Sequence, residues 1–233
     1  FPEALEPYFG ASIIGRAQAA GVVTIRCTDI RAFAPGRHKK VDDRPFGGGP
    51  GMVMMCPPVF DAVEHVERED LTPATRVLLT PQGELFNQEI ARQLAQESRL
   101  LLICGHYEGF DERIRLGLQP RELSIGDYVV SGGEPAAMVV VDAVVRLLPG
   151  ALGDEESTEN ESFSEGLLEY PQYTRPREYR GMPVPEIVLS GDHARIERWR
   201  KVQALKRTRK RRPDLYRKII EAQPDLLRLV EGA

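Results

Sequence analysis

A chain of 233 residues with 42% apolar side chains is long enough to bury a core in one or two domains, and that apolar share excludes wholesale disorder. No stretch approaches the roughly 18 to 20 uninterrupted apolar residues of a membrane span, and no charged-then-apolar opening marks export, so the cytoplasm is the expected location. The net charge of −4 hides an asymmetry: His193 to Lys218 holds twelve Lys or Arg against Glu197 and Asp214, with Trp199 and Tyr216 interleaved. A basic, Arg-rich block on an acidic body points to a polyanion, with nucleic acid favoured over a merely solvated helix face.

Taken in chain order, the first two-thirds alternates short apolar runs with helical patterns, which predicts an α/β layer around a largely parallel sheet. Strands are expected at Val22 to Cys27, Arg76 to Thr80, Leu100 to Cys104 and Tyr128 to Val130. A helix is expected over Asn87 to Glu97 behind an Asn cap. Another is expected over Pro135 to Leu148, opened by Ser131 with Glu134 at capping-box spacing. After Pro149-Gly150 the chain turns acidic and hydroxyl-rich, with almost no apolar side chains over 153–165, which is linker composition. Beyond a Pro-rich stretch from Tyr170 to Pro185 it becomes helical and basic. Cys27, Cys56 and Cys104 follow no ligand or disulfide spacing and read as reduced core thiols; no metal site is expected.

Three expected strands run into polar, Gly-containing turns: Thr80-Pro81-Gln82-Gly83, Gly105-His106-Tyr107-Glu108-Gly109, and the stretch from Ser124 to Met138. In an open α/β sheet such turns converge outside the carboxyl ends of the strands and line a small-molecule site. Neither GxxxxGK[ST] nor GxGxxG is present, so phosphate cradling is not expected. Ile125, Tyr128, Val129 and Val130 instead offer apolar surface, Gly126, Gly132 and Gly133 offer exposed backbone groups, and nearby carboxylates such as Asp127 tolerate a positive ligand. A second Gly-rich loop, Phe46 to Met52, follows Asp42-Asp43-Arg44, and His106 reads as a solvated loop side chain.

In order and spacing, five motifs resemble the bacterial tRNA (guanine-N1)-methyltransferase family. They are Val-Asp-Asp-Arg-Pro-Phe-Gly-Gly-Gly-Pro-Gly-Met, Leu-Thr-Pro-Gln-Gly, Cys-Gly-His-Tyr-Glu-Gly-Phe-Asp-Glu-Arg, Ser-Ile-Gly-Asp-Tyr-Val-Val-Ser-Gly-Gly-Glu and Tyr-Thr-Arg-Pro. The resemblance runs from the first residue to about Arg200. It implies a SPOUT fold: a knotted α/β domain over 1–152 whose C-terminal part forms a trefoil, a flexible linker over 153–165, and a helical, tRNA-binding domain over 166–233. It also implies a homodimer with its site at the subunit interface, acting on the guanosine just 3′ of the anticodon with S-adenosylmethionine, and with magnesium as a possible aid.

By the same resemblance, the cofactor pocket would include Leu79, Pro81, Gly105, Tyr107 and Glu108 from the first two turns. The last turn would add Ile125, Gly126, Asp127, Tyr128, Val129, Val130, Gly132 and Gly133. Asp42, Gly51, Glu169 and Arg200 would meet the tRNA. Glu161, where the family has Asp, would be the general base, and Arg146 would stabilise charge on the base. Glu169 also replaces an Asp, and His106 stands where the family more often has Arg. The family places a short strand ahead of Phe-Pro-Glu, so one element of the sheet is expected to be lacking.

Overall fold

The computed structural model describes residues 1–153, 162–163 and 166–231. The chain divides into two compact units, Phe1–Gly153 and Asp154–Ala233.

The first unit is built on a parallel sheet of β3 (Thr75–Leu85), β4 (Leu100–Cys104) and β5 (Arg121–Ser124), in the order β4-β3-β5. The middle strand is apolar on both sides because both its faces are covered. Val77 and Leu79 pack with α4 (Gln88–Leu94) and α6 (Glu134–Val145) on one face. On the other, Leu78 packs with α3 (Cys56–Glu69) and α5 (Glu112–Leu118). The expected α/β layer is therefore present. Helices α1 (Pro2–Phe9) and α2 (Ser12–Ala19) add a further layer, with Phe9, Ile14 and Ala17 against Val145 of α6. A two-stranded ribbon, β1 (Asp42–Asp43) with β2 (Val53–Met54), completes the unit.

The Asn cap forms as expected: Asn87 Oδ1 accepts from Glu89 N at 2.9 Å and Ile90 N at 3.1 Å. Four expectations need correction. Residues 22–27 join no ladder; Val22 N donates to Ala17 O and Ile25 N to the Gln18 side chain, so neighbouring helix groups take the place of a strand partner. The last strand is Arg121–Ser124 rather than Tyr128–Val130, because Leu123 and Ser124 are the buried residues while Val129 is 86% exposed. The turn at Thr80 to Gly83 is a bulge within β3, which pairs with Leu123 through Leu79 and again through Glu84. Ser131 caps nothing; the cap of α6 is Gly133, fixed by its own backbone bond to Gly105.

The second unit contains a ribbon of β6 (Glu178–Tyr179) and β7 (Met182–Pro183), then helices α7 (Glu186–Leu189), α8 (His193–Arg211), α9 (Pro213–Ala222) and α10 (Leu226–Glu231). Its core gathers Leu167, Ala204 and Leu205 with Tyr170, Tyr216 and Ile219. The buried Thr208 hydroxyl joins the two parts of that core, donating to Ala204 O at 2.7 Å and accepting from Leu168 N at 2.9 Å. Arg195, Arg198, Lys206, Arg209, Lys210 and Arg211 of α8 face solvent, so the basic block is an exposed face of a buried-core helix.

Candidate active site

The loops that leave the carboxyl ends of β4 and β5 lie against each other. Gly133 N donates to Gly105 O at 2.7 Å, and His106 and Gly132 form an antiparallel bridge. Contact this close depends on the missing side chain: a Cβ on Gly133 would sit 2.7 Å from Cys104 Cα and 2.8 Å from Gly105 N. Even a methyl group there would meet main chain that has little room to withdraw.

The β1–β2 ribbon docks on the same loop from the other side. Glu108 N donates to Met52 O at 3.0 Å, Met54 N to Gly109 O at 2.8 Å and Asp111 N to Met54 O at 3.0 Å. This brings the ribbon's tip, Gly51, against Glu108, where a Cβ would come within 2.3 Å of Oε1; its φ of +77° lies in the left-handed region as well. Asp42 sits opposite Met54 in the ribbon. The structure thus brings Gly51, Gly105, Tyr107, Glu108, Gly132 and Gly133 together.

The loop after β5 is tied to itself. Gly126 N donates to Ser124 Oγ at 3.2 Å, Tyr128 N to Gly126 O at 2.9 Å and the Tyr128 hydroxyl to Ile125 O at 3.2 Å. Those bonds hold an apolar side of the loop in solvent: Tyr128 is 57% exposed and Val130 40%. Tyr107, 41% exposed, sits at φ +61°, an unfavourable conformation for a bulky residue that the surrounding bonds enforce. Leu79, by contrast, is buried in the sheet, with Pro81 at the start of the bulge.

His106 is a residue that sequence reasoning left in solvent. Its Nδ1 is buried without a hydrogen-bond partner, and its ring lies 5.3 Å from that of Phe1 and 5.1 Å from that of Tyr107. An unsatisfied buried polar atom beside Gly132 and Glu134 marks this corner as one built for more than packing. The sequence signals for it are its position between Gly105 and Tyr107 and its place where the family more often has Arg. Nearby, burial pushes the Cys104 thiol up to about 12, so it stays protonated. The Arg113 guanidinium bonded to Asp111 holds that carboxyl well below the usual range, which fixes the start of α5 at the loop's end.

Arg146 does not join this cluster within one chain. It caps the far end of the 12-residue α6 from Gly133, about 18 Å along the helix axis. Glu161 lies outside the described residues. Glu169 and Arg200 belong to the second unit: Glu169 Oε1 accepts from Gln172 Nε2 at 2.6 Å, while Arg200 lies 4.8 Å from the Tyr170 ring centre and donates to Glu197 at 2.6 Å. No group of three or more His, Cys, Asp or Glu among the described residues is placed to hold a metal ion. No helix among them is long and apolar enough to cross a membrane.

Residues 1–218 match the family model described as tRNA (Guanine-1)-methyltransferase TrmD. Curated proteins named tRNA (guanine-N(1)-)-methyltransferase are similar along nearly the whole chain. The protein of Moorella thermoacetica is 56% identical over 225 residues, 94% of this chain and 88% of its own. That of Dehalococcoides mccartyi strain BAV1 is 54% identical over 225 residues, 97% of this chain and 91% of its own. That of Halalkalibacterium halodurans is 53% identical over 229 residues, covering 97% and 93%. With more than half of its length matched by the family model and relatives 53–56% identical along nearly all of it, the chain belongs to the TrmD family of tRNA (guanine-1)-methyltransferases.

Proposed function

We propose that this chain transfers a methyl group from S-adenosylmethionine to N1 of the guanosine just 3′ of the anticodon in tRNA, working as a homodimer. Membership of the family supports the reaction class. The observation that carries the site is the contact of the two loops joined by Gly133 N and Gly105 O. A close contact between these two loops is one that a trefoil-knotted chain would make.

The residues fit the cofactor. Tyr107, Tyr128 and Val130 leave apolar surface uncovered for an adenosyl ring, while the missing side chains of Gly126, Gly132 and Gly133 let Tyr128, His106 and the Gly105 main chain close on them and shape the loops. The Glu108 and Asp127 carboxylates suit a cationic ligand. When bound, S-adenosylmethionine supplies an electrophilic methyl on sulfur. Guanine N1 carries a proton and a delocalised lone pair, so a base must remove that proton as the nucleophile forms its bond. Glu161 is assigned that role. Negative charge then gathers on O6, where the fixed guanidinium of Arg146 stabilises it. Because α6 keeps Arg146 about 18 Å from its own chain's loops, a site shared between two subunits brings the parts together without unwinding the helix. In the second unit, the exposed cations of α8 track tRNA phosphates, with Arg200 and Glu169 beside them. Any contribution of magnesium would act on the acidity of the target base.

The test is a methyl-transfer assay on tRNA with guanosine 3′ of the anticodon, its product identified by mass spectrometry. 1-Methylguanosine, absent when that guanosine is replaced by adenosine, is the expected result. A ribose-methylated product would instead assign a different acceptor. Arg146→Ala is expected to bind cofactor normally in calorimetry and to lose about a hundredfold or more in turnover; wild-type turnover would remove Arg146 from the mechanism.

A further inference from the structure

Strand β3 interrupts its own ladder. Leu79 and Glu84 both lie opposite Leu123 of β5, so residues 80–83 stand out between them as a bulge. Leu79 also lies opposite Cys104 of β4. The bulge therefore leaves the sheet between the two glycine loops, at the carboxyl end of the strands, and it carries the exposed Pro81. Residues 80–83 have no partner in the register with β5, so other groups must fix their position.

Two contacts do so. Gly83 lies on the main chain of β5, where a Cβ would come within 2.4 Å of Glu122 C and Leu123 N. Thr80, buried at the start of the bulge, accepts at Oγ1 from Gln82 N at 3.3 Å and from Arg115 Nη2 at 3.3 Å. The Arg115 side chain on α5 is itself only 13% exposed, and each of its three nitrogens takes a separate partner. Nε donates to Glu122 Oε2 on β5 at 2.8 Å, Nη1 to Glu112 Oε2 on its own helix at 3.0 Å and Nη2 to Thr80 on β3. The pleat makes this possible: Glu122 lies opposite Leu78, so Leu78, Thr80 and Glu122 share the face that α5 covers. The two glutamates already answer the charge of the guanidinium. Its planar fork adds a third arm, rigidly coupled to the other two, and that arm ends on the bulge.

We propose that Arg115 is a positioning residue for the cofactor site. Anchored on Glu122 and Glu112, it holds Thr80 and so fixes where the bulge presents Pro81. This rests on Pro81 belonging to the S-adenosylmethionine pocket, as proposed for this chain.

The experiment uses the full chain without tRNA and reads amide hydrogen exchange at Gln82 and Gly83 together with S-adenosylmethionine affinity by calorimetry. Arg115→Lys keeps a positive charge beside both glutamates but replaces the fork with a point donor. It is expected to speed exchange at those two amides and to weaken cofactor binding, each about tenfold. Thr80→Val removes the hydroxyl, keeps the branched shape and is expected to weaken binding by a similar factor, whereas Thr80→Ser, which keeps Oγ, retains wild-type affinity. In the methyl-transfer assay the loss should appear in KM for the cofactor with kcat within about twofold, because the bond supports ground and transition state alike. Faster exchange with unchanged cofactor affinity overturns the proposal and leaves Arg115 a structural ion pair. Unchanged exchange in Arg115→Lys overturns it too, as does a Thr80→Ser variant that binds as weakly as Thr80→Val. Wild-type protein that binds no cofactor at millimolar concentration would overturn the methyl-transfer reading itself and this proposal with it, an outcome distinct from a result confined to the variants.

Discussion

At the end of the sheet where the strands begin, arginines stitch the layers together. Arg76 holds Glu67 through two bonds of 2.7 and 2.8 Å and donates to Leu118 O at 2.9 Å, joining α3, β3 and α5. Arg99 donates to the carbonyls of Val66, Asp70 and Thr72. At the opposite end, among the described residues, no such arginine clamp joins the loops after β4 and β5; main chain lies directly on main chain at Gly105 and Gly133, and Tyr107, Tyr128 and Val130 stand in solvent. One end spends its polar groups on itself. The other keeps apolar surface uncovered, which is a condition for holding a ligand there.

The largest effect should come from the glycine end. Gly133→Ala places a methyl group within 3 Å of Cys104 and Gly105 main chain, so the loops must separate. Overpacking of this kind costs about 1–3 kcal/mol. A displacement near 1 Å at the reacting groups costs about a hundredfold in rate. Turnover should therefore collapse further than stability does. Wild-type turnover in this variant would show that the contact is only a packing detail and would erase the contrast.

The arginine end should respond the other way. Arg76→Met leaves Glu67 without its partner and Leu118 O without a donor, a loss of about 1–3 kcal/mol in urea unfolding, with turnover per folded molecule unchanged. The pH dependence sharpens this. The bond from Arg76 holds the Glu67 carboxyl below its ordinary value, so its contribution is complete above the usual glutamate range near pH 4.3 and fades as the pH falls through the lowered value. The stability gap between wild type and variant should therefore narrow on acidification. A gap that stays constant would assign the loss to packing of the arginine stem.

What the sequence disclosed follows the same division. Strand β3, strand β4 and the Asn87 cap could be read from local pattern, since each is dictated by residues within a few positions. Strand β5 could not: Arg121 and Glu122 look like surface residues until Glu84, from the far end of β3, and Arg115, from the preceding helix, are seen to pair with them. The neighbouring Tyr-Val-Val run looks like a strand because aromatic and β-branched residues favour one, yet it joins no ladder and stands exposed. The site loops were recognisable as motifs, but nothing in their spacing revealed that Gly133 touches Gly105, or that His106 Nδ1 is enclosed.

The smallest expected effect tests whether the helix layer is neutral between the two ends. Asn87 satisfies two free N–H groups at the start of α4, whose Ile90, Ala91 and Leu94 pack on the sheet. Asn87→Ala removes both bonds and should cost about 1 kcal/mol, as caps generally do. For a unit of this size that is a fall of about 2–4 °C in Tm, with turnover unchanged. The reasoning is that α4 supports the face of β3 without holding either glycine loop, so the loss reaches the core and stops there. Should turnover fall out of proportion to the Tm shift, the loop contact would depend on the helix layer beneath it. The active end would then be held by the whole α/β stack rather than by the fit of Gly133 against Gly105.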